Sequence, residues 1–252
     1  MAFSDLEYRA AQPPPALAEF IESFWMLRNP SEAEQPVVIM PDGRIDVFFS
    51  CSALEPYHVT LLGLNNQPDA QAIAPRTTMF AISWNLLAVE YILPVRLADF
   101  LRGGCPLPLD YLGVSQEDLI NFDNFCTKAA AHIQQLLPAK IDPRKRKLFN
   151  LLYATSGILT VEAYAAAAAW SSRQINRYFQ QQFGLSLKAY CNILRFLAAL
   201  PDLKAGKLFP EAHFADQAHF IREIKKYAGV APKELVRNQD DRFIQFSALP
   251  KK

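Results

Sequence analysis

Two stretches near the end of the chain decide the reading: SSRQINRYFQQQFGLSLKAY at residues 171–190 and DQAHFIREIKKYAGVAPKEL at 216–235. The second echoes the first 45 residues on. Ile175, Phe179, Gly184, Lys188 and Tyr190 return as Phe220, Ile224, Gly229, Lys233 and Leu235. Each copy reads as an amphipathic helix, a glycine stop and a second short helix. With Ile175 at the origin of a helical wheel, Tyr178, Phe179 and Phe183 fall inward. Arg173, Arg177 and Gln180 fall outward, with Asn176 beside them. In the second copy Gln217, Arg222 and Lys225 face out. Arginine and amide side chains match the donor and acceptor patterns of base edges, and the free N–H groups of a helix N-terminus favour phosphate. Two such helices on one basic domain point to successive grooves of DNA.

The upstream sequence supplies the rest of the first unit. Thr160 caps VEAYAAAAAW at 161–170, whose alanines at 165–169 let another helix approach closely. A turn of about three residues then leads to the serine-capped helix, so helix-turn-helix geometry is expected over 160–183. Further back, Asp142 caps a basic helix, PRKRKLFNLLYATSG, ending at Gly157. Ser115 is expected to cap one helix running to Leu137, stopped by Pro138. Between Val37 and Trp84 the texture differs. PVVIM, RIDVFFS, HVTLLG, QAIA and TTMFAISW are short, rich in β-branched and aromatic residues and separated by turn signals, as in an antiparallel sheet or partial barrel. Residues 12–27 begin with a proline run and then place Leu17, Phe20, Ile21 and Phe24 at helical spacing.

Charge divides the chain in the same way. Residues 1–141 carry 8 Lys/Arg against 16 Asp/Glu, a net of −8; residues 142–252 carry 18 against 9, a net of +9. The basic half has a reason to meet phosphate, and the acidic half would repel it. No run of about 18 uncharged apolar residues is present, so no membrane span is expected. The early acids of MAFSDLEYRA do not fit a secretory signal. Cys51, Cys105, Cys126 and Cys191 show no CxxC spacing and fit thiols in a reducing cytoplasm.

The C-terminal part resembles the DNA-binding domain of the AraC/XylS family of bacterial transcription regulators. The residues carrying the resemblance are Leu159, Ala165, Ser171, Arg173, Gln174, Ile175, Arg177, Phe179, Phe183, Gly184, Leu185, Ser186, Tyr190, Arg195 and Phe196. In the second unit they are Phe214, Asp216, Gln217, His219, Phe220, Arg222, Lys225, Gly229, Pro232 and Leu235. The resemblance implies base contacts from Arg173, Asn176 and Arg177 in the first helix, and from Gln217, Ala218, Ile221 and Arg222 in the second. The acidic half is similar, more weakly, to a domain that precedes this module in some members. Phe24, Trp25, MPDGRIDVFFS at 40–50, LLG at 61–63 and Leu107 with its flanking prolines carry that likeness. Three departures stand out. Ala169 replaces a usual glycine in the first turn, where alanine is expected at negative φ. Pro201 falls inside the linker helix, a position costing ~3 kcal/mol in a regular helix. KLFPEAH at 207–213 is short and carries Pro210 where the second unit's first helix should run, so that unit is expected to have a complete reading helix on a damaged support.

No GxSxG, HExxH, P-loop or GxGxxG is present, and His58 is the only histidine within 37–84; neither an enzyme nor a metal or cofactor site is expected. Asp42 reads as a turn cap, with Asp46 bonded to backbone or to an arginine such as Arg44. Trp25, Phe48, Tyr57 and Trp84 are the candidates for an effector pocket, against the plainer reading of core aromatics.

The expected fold class is α+β in two domains. Residues 1–114 form a β-rich domain for sensing or dimerisation, 115–156 a helical linker, 157–240 an all-α tandem helix-turn-helix domain, and 241–252 a tail. The expected function is a cytoplasmic, sequence-specific DNA-binding transcription regulator answering to an effector. The DNA-reading set is Arg173, Asn176, Arg177, Gln180, Gln217, Ala218, Ile221, Arg222 and Lys225. Double-stranded DNA, a small-molecule effector and a second copy of the chain are the partners. The alternative is an effector-binding or protein-interaction module with a degenerate second unit and only weak DNA binding.

Overall fold

The computed structural model describes residues 2–3, 6–93, 95–100, 103–207, 214, 216–238 and 241–249. The expected damage at 207–213, Pro210 included, lies almost wholly outside them.

The acidic half is built on sheet. Nine strands occur in the order β1 (Ala2–Phe3), β2 (Leu6–Ala11), β3 (Ile21–Arg28), β4 (Gln35–Ile39), β5 (Ile45–Cys51), β6 (His58–Leu62), β7 (Asp69–Ile73), β8 (Thr78–Trp84) and β9 (Gly104–Leu107). Seven pair antiparallel as β1-β2-β3-β8-β5-β6-β9, and β4 pairs with β7 as a separate ribbon. Helix α1 (Leu87–Tyr91) follows β8.

Strand alternation gives the large sheet two faces. Phe24, Ile82, Val47 and Leu61 lie in one cross-strand row, with Phe49 beside Phe80 in the next. This face is covered by α2 (Phe122–Gln135), whose Phe125 ring lies 5.4 Å from Phe49 and 5.3 Å from Phe80. The other face carries Trp25, Ala81 and Phe48 in one row and Ser83 paired with Asp46 in the next.

The segment 12–27 is not helical as expected: after a short 3-10 turn at Pro15–Leu17, Ile21–Arg28 is strand β3. A bulge between Ile21 and Ser23 shifts the alternation, so that apolar residues covered on both faces imitate helical spacing. The single helix from Ser115 is also corrected. Ser115 and Asp118 form a capping box over a 3-10 turn, Gln116–Ile120. Asn121 then adopts extended backbone and starts α2 afresh, its side chain accepting from the N–H groups of Asp123 and Asn124.

The basic half is helical: α3 (Pro143–Ala154), α4 (Val161–Ala167), α5 (Ser172–Phe183), α6 (Leu187–Lys204), α7 (Gln217–Ala228), α8 (Pro232–Arg237) and α9 (Ile244–Ala248). Buried Phe149 of α3 packs 6.1 Å from Phe179 and 6.0 Å from Phe183, so α3 supports the first unit. Pro201 does not break α6. It sits exposed in the last turn, while buried Leu200 and Leu203 hold the helix on both sides. Among the described residues no single helix is long and apolar enough to cross a membrane.

The segment after α8 is docked. Val38 donates to the Arg242 carbonyl at 2.7 Å, and the Gln245 amide pairs with both the N–H (3.0 Å) and carbonyl (2.9 Å) of Met40. Lys204 Nζ closes the end of α9 by donating to the carbonyls of Phe246, Ser247 and Leu249.

Candidate DNA interface and effector site

The first helix-turn-helix comprises α4 and α5. Thr160 Oγ1 accepts from the Ala163 N–H at 3.2 Å and starts α4. The end of α4 is a Schellman turn: Trp170 N–H bonds to the Ala165 carbonyl at 2.9 Å and Ala169 N–H to that of Ala166 at 3.1 Å. That pattern requires the residue between to be left-handed, and Ala169 has φ +52°. The expectation of negative φ there is therefore wrong. The hydrogen bonds fix the backbone, and alanine takes on the strain that a glycine would avoid.

A capping box then starts α5, with Ser171 N–H donating to Gln174 Oε1 (2.8 Å) and Gln174 N–H to Ser171 Oγ (3.2 Å). Gly184, left-handed at φ +71°, stops it. Ile175, Phe179 and Phe183 are buried, Tyr178 is half-buried, and Arg173, Arg177 and Gln180 are exposed. These three exposed side chains make no hydrogen bond or ion pair among the described residues. Asn176 is half-buried and donates to the Ser172 carbonyl of its own helix at 3.0 Å.

The second reading helix repeats these devices. Asp216 Oδ1 accepts from His219 N–H at 2.7 Å to cap α7, and Gly229 ends it at φ +76°. Phe220, Ile224 and Tyr227 are buried. Gln217, Ala218, Arg222 and Lys225 are exposed, and Ile221 is half-buried. The caps at 171 and 216 and the stops at 184 and 229 keep the 45-residue offset, so the repeat in sequence is a repeat in local geometry.

In the β-rich half the structure brings together two of the four aromatic candidates. Trp25 and Phe48 flank Ala81, and their rings meet edge-to-face at 5.3 Å across that small residue. Tyr57 stands apart, donating to the Val114 carbonyl at 3.3 Å, and burial raises its phenol to about 12. Trp84 is fully buried on the α2-covered face.

The aspartates complete the picture. Asp42 caps its turn, accepting from the Arg44 N–H at 2.9 Å. Asp46 does not bond to backbone or to an arginine. Its Oδ1 accepts from Ser83 Oγ (2.7 Å) and Trp25 Nε1 (3.3 Å), because strand pairing sets Ser83 opposite it. Burial, followed by the Asp42 carboxylate, raises Asp46 to about 7 against the two hydrogen bonds. Burial also raises Asp42.

Sequence reasoning missed the contacts of this turn with the helical half. Tyr190 of α6 donates to the Gly43 carbonyl at 3.1 Å, and the Arg44 guanidinium lies 4.6 Å from the Tyr153 ring of α3. A side chain at Gly43, φ +68°, would put its Cβ 3.1 Å from the Tyr190 ring. The signal was the PDG tripeptide, legible as a turn but not as a seat for a tyrosine 147 residues on.

Comparisons with known proteins agree with this architecture in part. A family model described as a helix-turn-helix domain matches residues 164–238, and one described as a domain of unknown function (DUF6597) matches 9–105. Among curated proteins none matches. Among solved structures, apo ToxT from Vibrio cholerae strain SCE256 is similar at 10% identity and TM-score 0.47, over 90% of this chain and 99% of that one. Unsaturated fatty acid-bound ToxT of the same strain is similar at 12% identity and TM-score 0.43, over 92% and 94%. At these values the likeness supports no inference. Residues 164–238, with the capped repeat they contain, are a helix-turn-helix domain of the AraC type, the module of a DNA-binding transcription regulator.

Proposed function

We propose that the chain is a sequence-specific regulator that reads DNA with the exposed faces of α5 and α7 and responds to a small-molecule effector held by its β-rich half. The observation that carries this reading is the pair of equivalently capped helices. Each presents exposed side chains, Arg173, Arg177 and Gln180 in α5 and Gln217, Arg222 and Lys225 in α7, that form no hydrogen bond or ion pair among the described residues. Arg173, Asn176, Arg177 and Gln180 read one groove segment, and Gln217, Ala218, Ile221, Arg222 and Lys225 the next, with other Lys and Arg on phosphates. Asn176 contributes by turning its amide from the Ser172 carbonyl to a base edge.

The organisation is a β-rich domain at 1–114, a DNA-binding domain at 157–240 and a docked tail from 241, with α2 serving the sheet and α3 the first reading unit across the 115–156 linker. The effector site lies beside Trp25 and Phe48, on the sheet face turned from α2; Tyr57 and Trp84 stand outside it. The protein acts in the cytoplasm, without catalysis, and a homodimer would bind a two-fold site.

Selection of bound duplexes from a random pool at two salt concentrations tests the reading. An enriched motif that survives moderate salt supports it. Uniform binding that vanishes there refutes sequence-specific recognition and favours a weak-binding interaction module.

A further inference from the structure

Four ionisable side chains gather where the α2-free face of the large sheet meets α3 and α6. Glu22 comes from β3, Asp46 from β5, and Asp42 and Arg44 from the turn between β4 and β5; charge on each acts on its neighbours. None forms an ion pair among the described residues. The Arg44 guanidinium is enclosed by protein and meets no hydrogen-bond acceptor among the described residues, and its Nη1 is sealed from solvent. Asp46 uses Oδ1 for Ser83 and Trp25, while Oδ2 has no partner among the described residues and is not sealed. All four residues keep some accessible surface, and protein packs closely around Asp42, Arg44 and Asp46. The wall beside Asp46 is aromatic, with the Trp25 ring 5.3 Å from Phe48 and 6.3 Å from Tyr8.

Buried charges without partners cost several kcal/mol each, and a fold that keeps them has a use for them. Carboxylates beside aromatic faces recognise an organic cation. A guanidinium with free donors recognises an oxygen acceptor. Arg44 and Asp46 lie two residues apart along the chain, about 7 Å. That spacing suits one small molecule bearing both groups. Among the described residues no three metal-ligating side chains converge, so a metal ion does not fit.

We propose that this site takes a small amine that also carries an oxygen acceptor, an amino acid or amino-alcohol. Its ammonium sits against Asp46 and Asp42 and its oxygen against Arg44. The assignment rests on the effector reading above and names the ligand class. It also gives the ligand a route to the DNA-binding half, since Arg44 stacks on Tyr153 of α3 and Gly43 holds Tyr190 of α6.

Calorimetric titration of the full chain tests this, with the twenty amino acids and ethanolamine as probes. Putrescine serves as an amine without oxygen, and acetate and oleate as anions. At least one oxygen-bearing amine should bind. Its affinity should rise about tenfold per pH unit up to about pH 7 and then level off, with proton release, because binding selects ionised Asp46. The groups facing Asp46 are Tyr8, Glu22, Asp42 and Arg44, with Ser83 and Trp25 as neutral donors; none of the carboxylates among them is held in an ion pair that would mask the effect. Asp46→Asn, which keeps an acceptor for Ser83, should abolish the pH dependence. Arg44→Lys should reduce the oxygen-bearing amine to the affinity of putrescine. The wild-type pH profile and proton release decide the matter even where a variant folds poorly. Binding of oleate or acetate with no amine bound overturns this ligand class and leaves the effector reading standing. Binding of no probe up to millimolar concentration likewise overturns this ligand class.

Discussion

Ala169→Gly should stabilise the protein, against the usual effect of placing glycine next to a helix. Alanine at φ +52° is strained by about 1–2 kcal/mol relative to glycine. Glycine in turn gives the unfolded chain about 0.4–1 kcal/mol more conformational entropy. Ala169 is exposed, so little packing is lost with its methyl group. The net is a gain of about 0.5–1 kcal/mol. For a chain of 252 residues unfolding cooperatively this raises Tm by only about 1–2 °C, so urea denaturation is the better assay. The control is Ala166→Gly, the same chemical change at an exposed site inside α4, which should cost about 1 kcal/mol. If both variants lose stability equally, Ala169 does not occupy the left-handed position and the Schellman account of the turn is wrong.

The other expectations concern the core, the reading helices and pH. Phe125→Ala removes a ring that meets Phe24, Phe49, Phe80 and Phe122, and should cost about 3–5 kcal/mol in denaturant titration. Arg177→Ala should weaken binding to the best duplex by about 1–3 kcal/mol and relax preference at one base pair, whereas Arg222→Ala should weaken specific and scrambled duplexes more evenly and flatten the salt slope by about one unit; the reverse pattern would contradict a second reading helix held less firmly than the first. Asp46 is raised in the fold from an unfolded value near 3.9, so its protonated form is favoured by folding. Its contribution is therefore fully present below about pH 4 and lost as pH rises to about 7. Asp46→Asn should make urea stability fall less between pH 5 and 8 than wild type, and an unchanged profile would show that Asp46 is not the group responsible.

The helical half was legible because its signals are local. A cap, an apolar stripe and a glycine stop within fourteen residues specify each reading helix, and the caps at Ser171 and Asp216 lie where the pattern put them. The sheet was legible in kind but not in extent. β3 was hidden by its bulge, β2 carries the charged Glu7 and Arg9, and the four-residue β9 contains Pro106, so neither of the last two announces a strand without the partner that pairs with it. Ala169 shows a different limit. Composition argued for negative φ, but φ there is set by hydrogen bonds to Ala165 and Ala166, which no property of alanine encodes. The charged cluster was half-legible: Asp42 capped its own turn, while the partners of Asp46 depend on a strand register fixed by residues 37 positions away.

Several contacts between the halves meet on one short stretch of chain. The tail clamps Met40 through Gln245, Tyr190 of the linker helix holds Gly43, and Tyr153 of α3 supports Arg44. A separate contact joins α3 and α5 to the β-rich half, where Glu90 of α1 pairs with Lys145 and accepts from Tyr178 at 3.0 Å. Residues 40–44 thus touch the tail behind the second reading unit, the helix between the units and the support of the first. A rotation of one unit against the other must disturb at least one of these contacts, and with it the placement of Asp42 and Arg44. Coupling of this kind is reciprocal: a ligand that changes DNA affinity through this turn has its own affinity changed by DNA, by the same factor. Measuring ligand binding with and without a selected duplex therefore reports on the turn itself. Replacing Tyr190 by Phe, which removes the hydroxyl's bonds to the Gly43 carbonyl and the Tyr153 hydroxyl, should reduce that factor toward one while leaving each binding event intact.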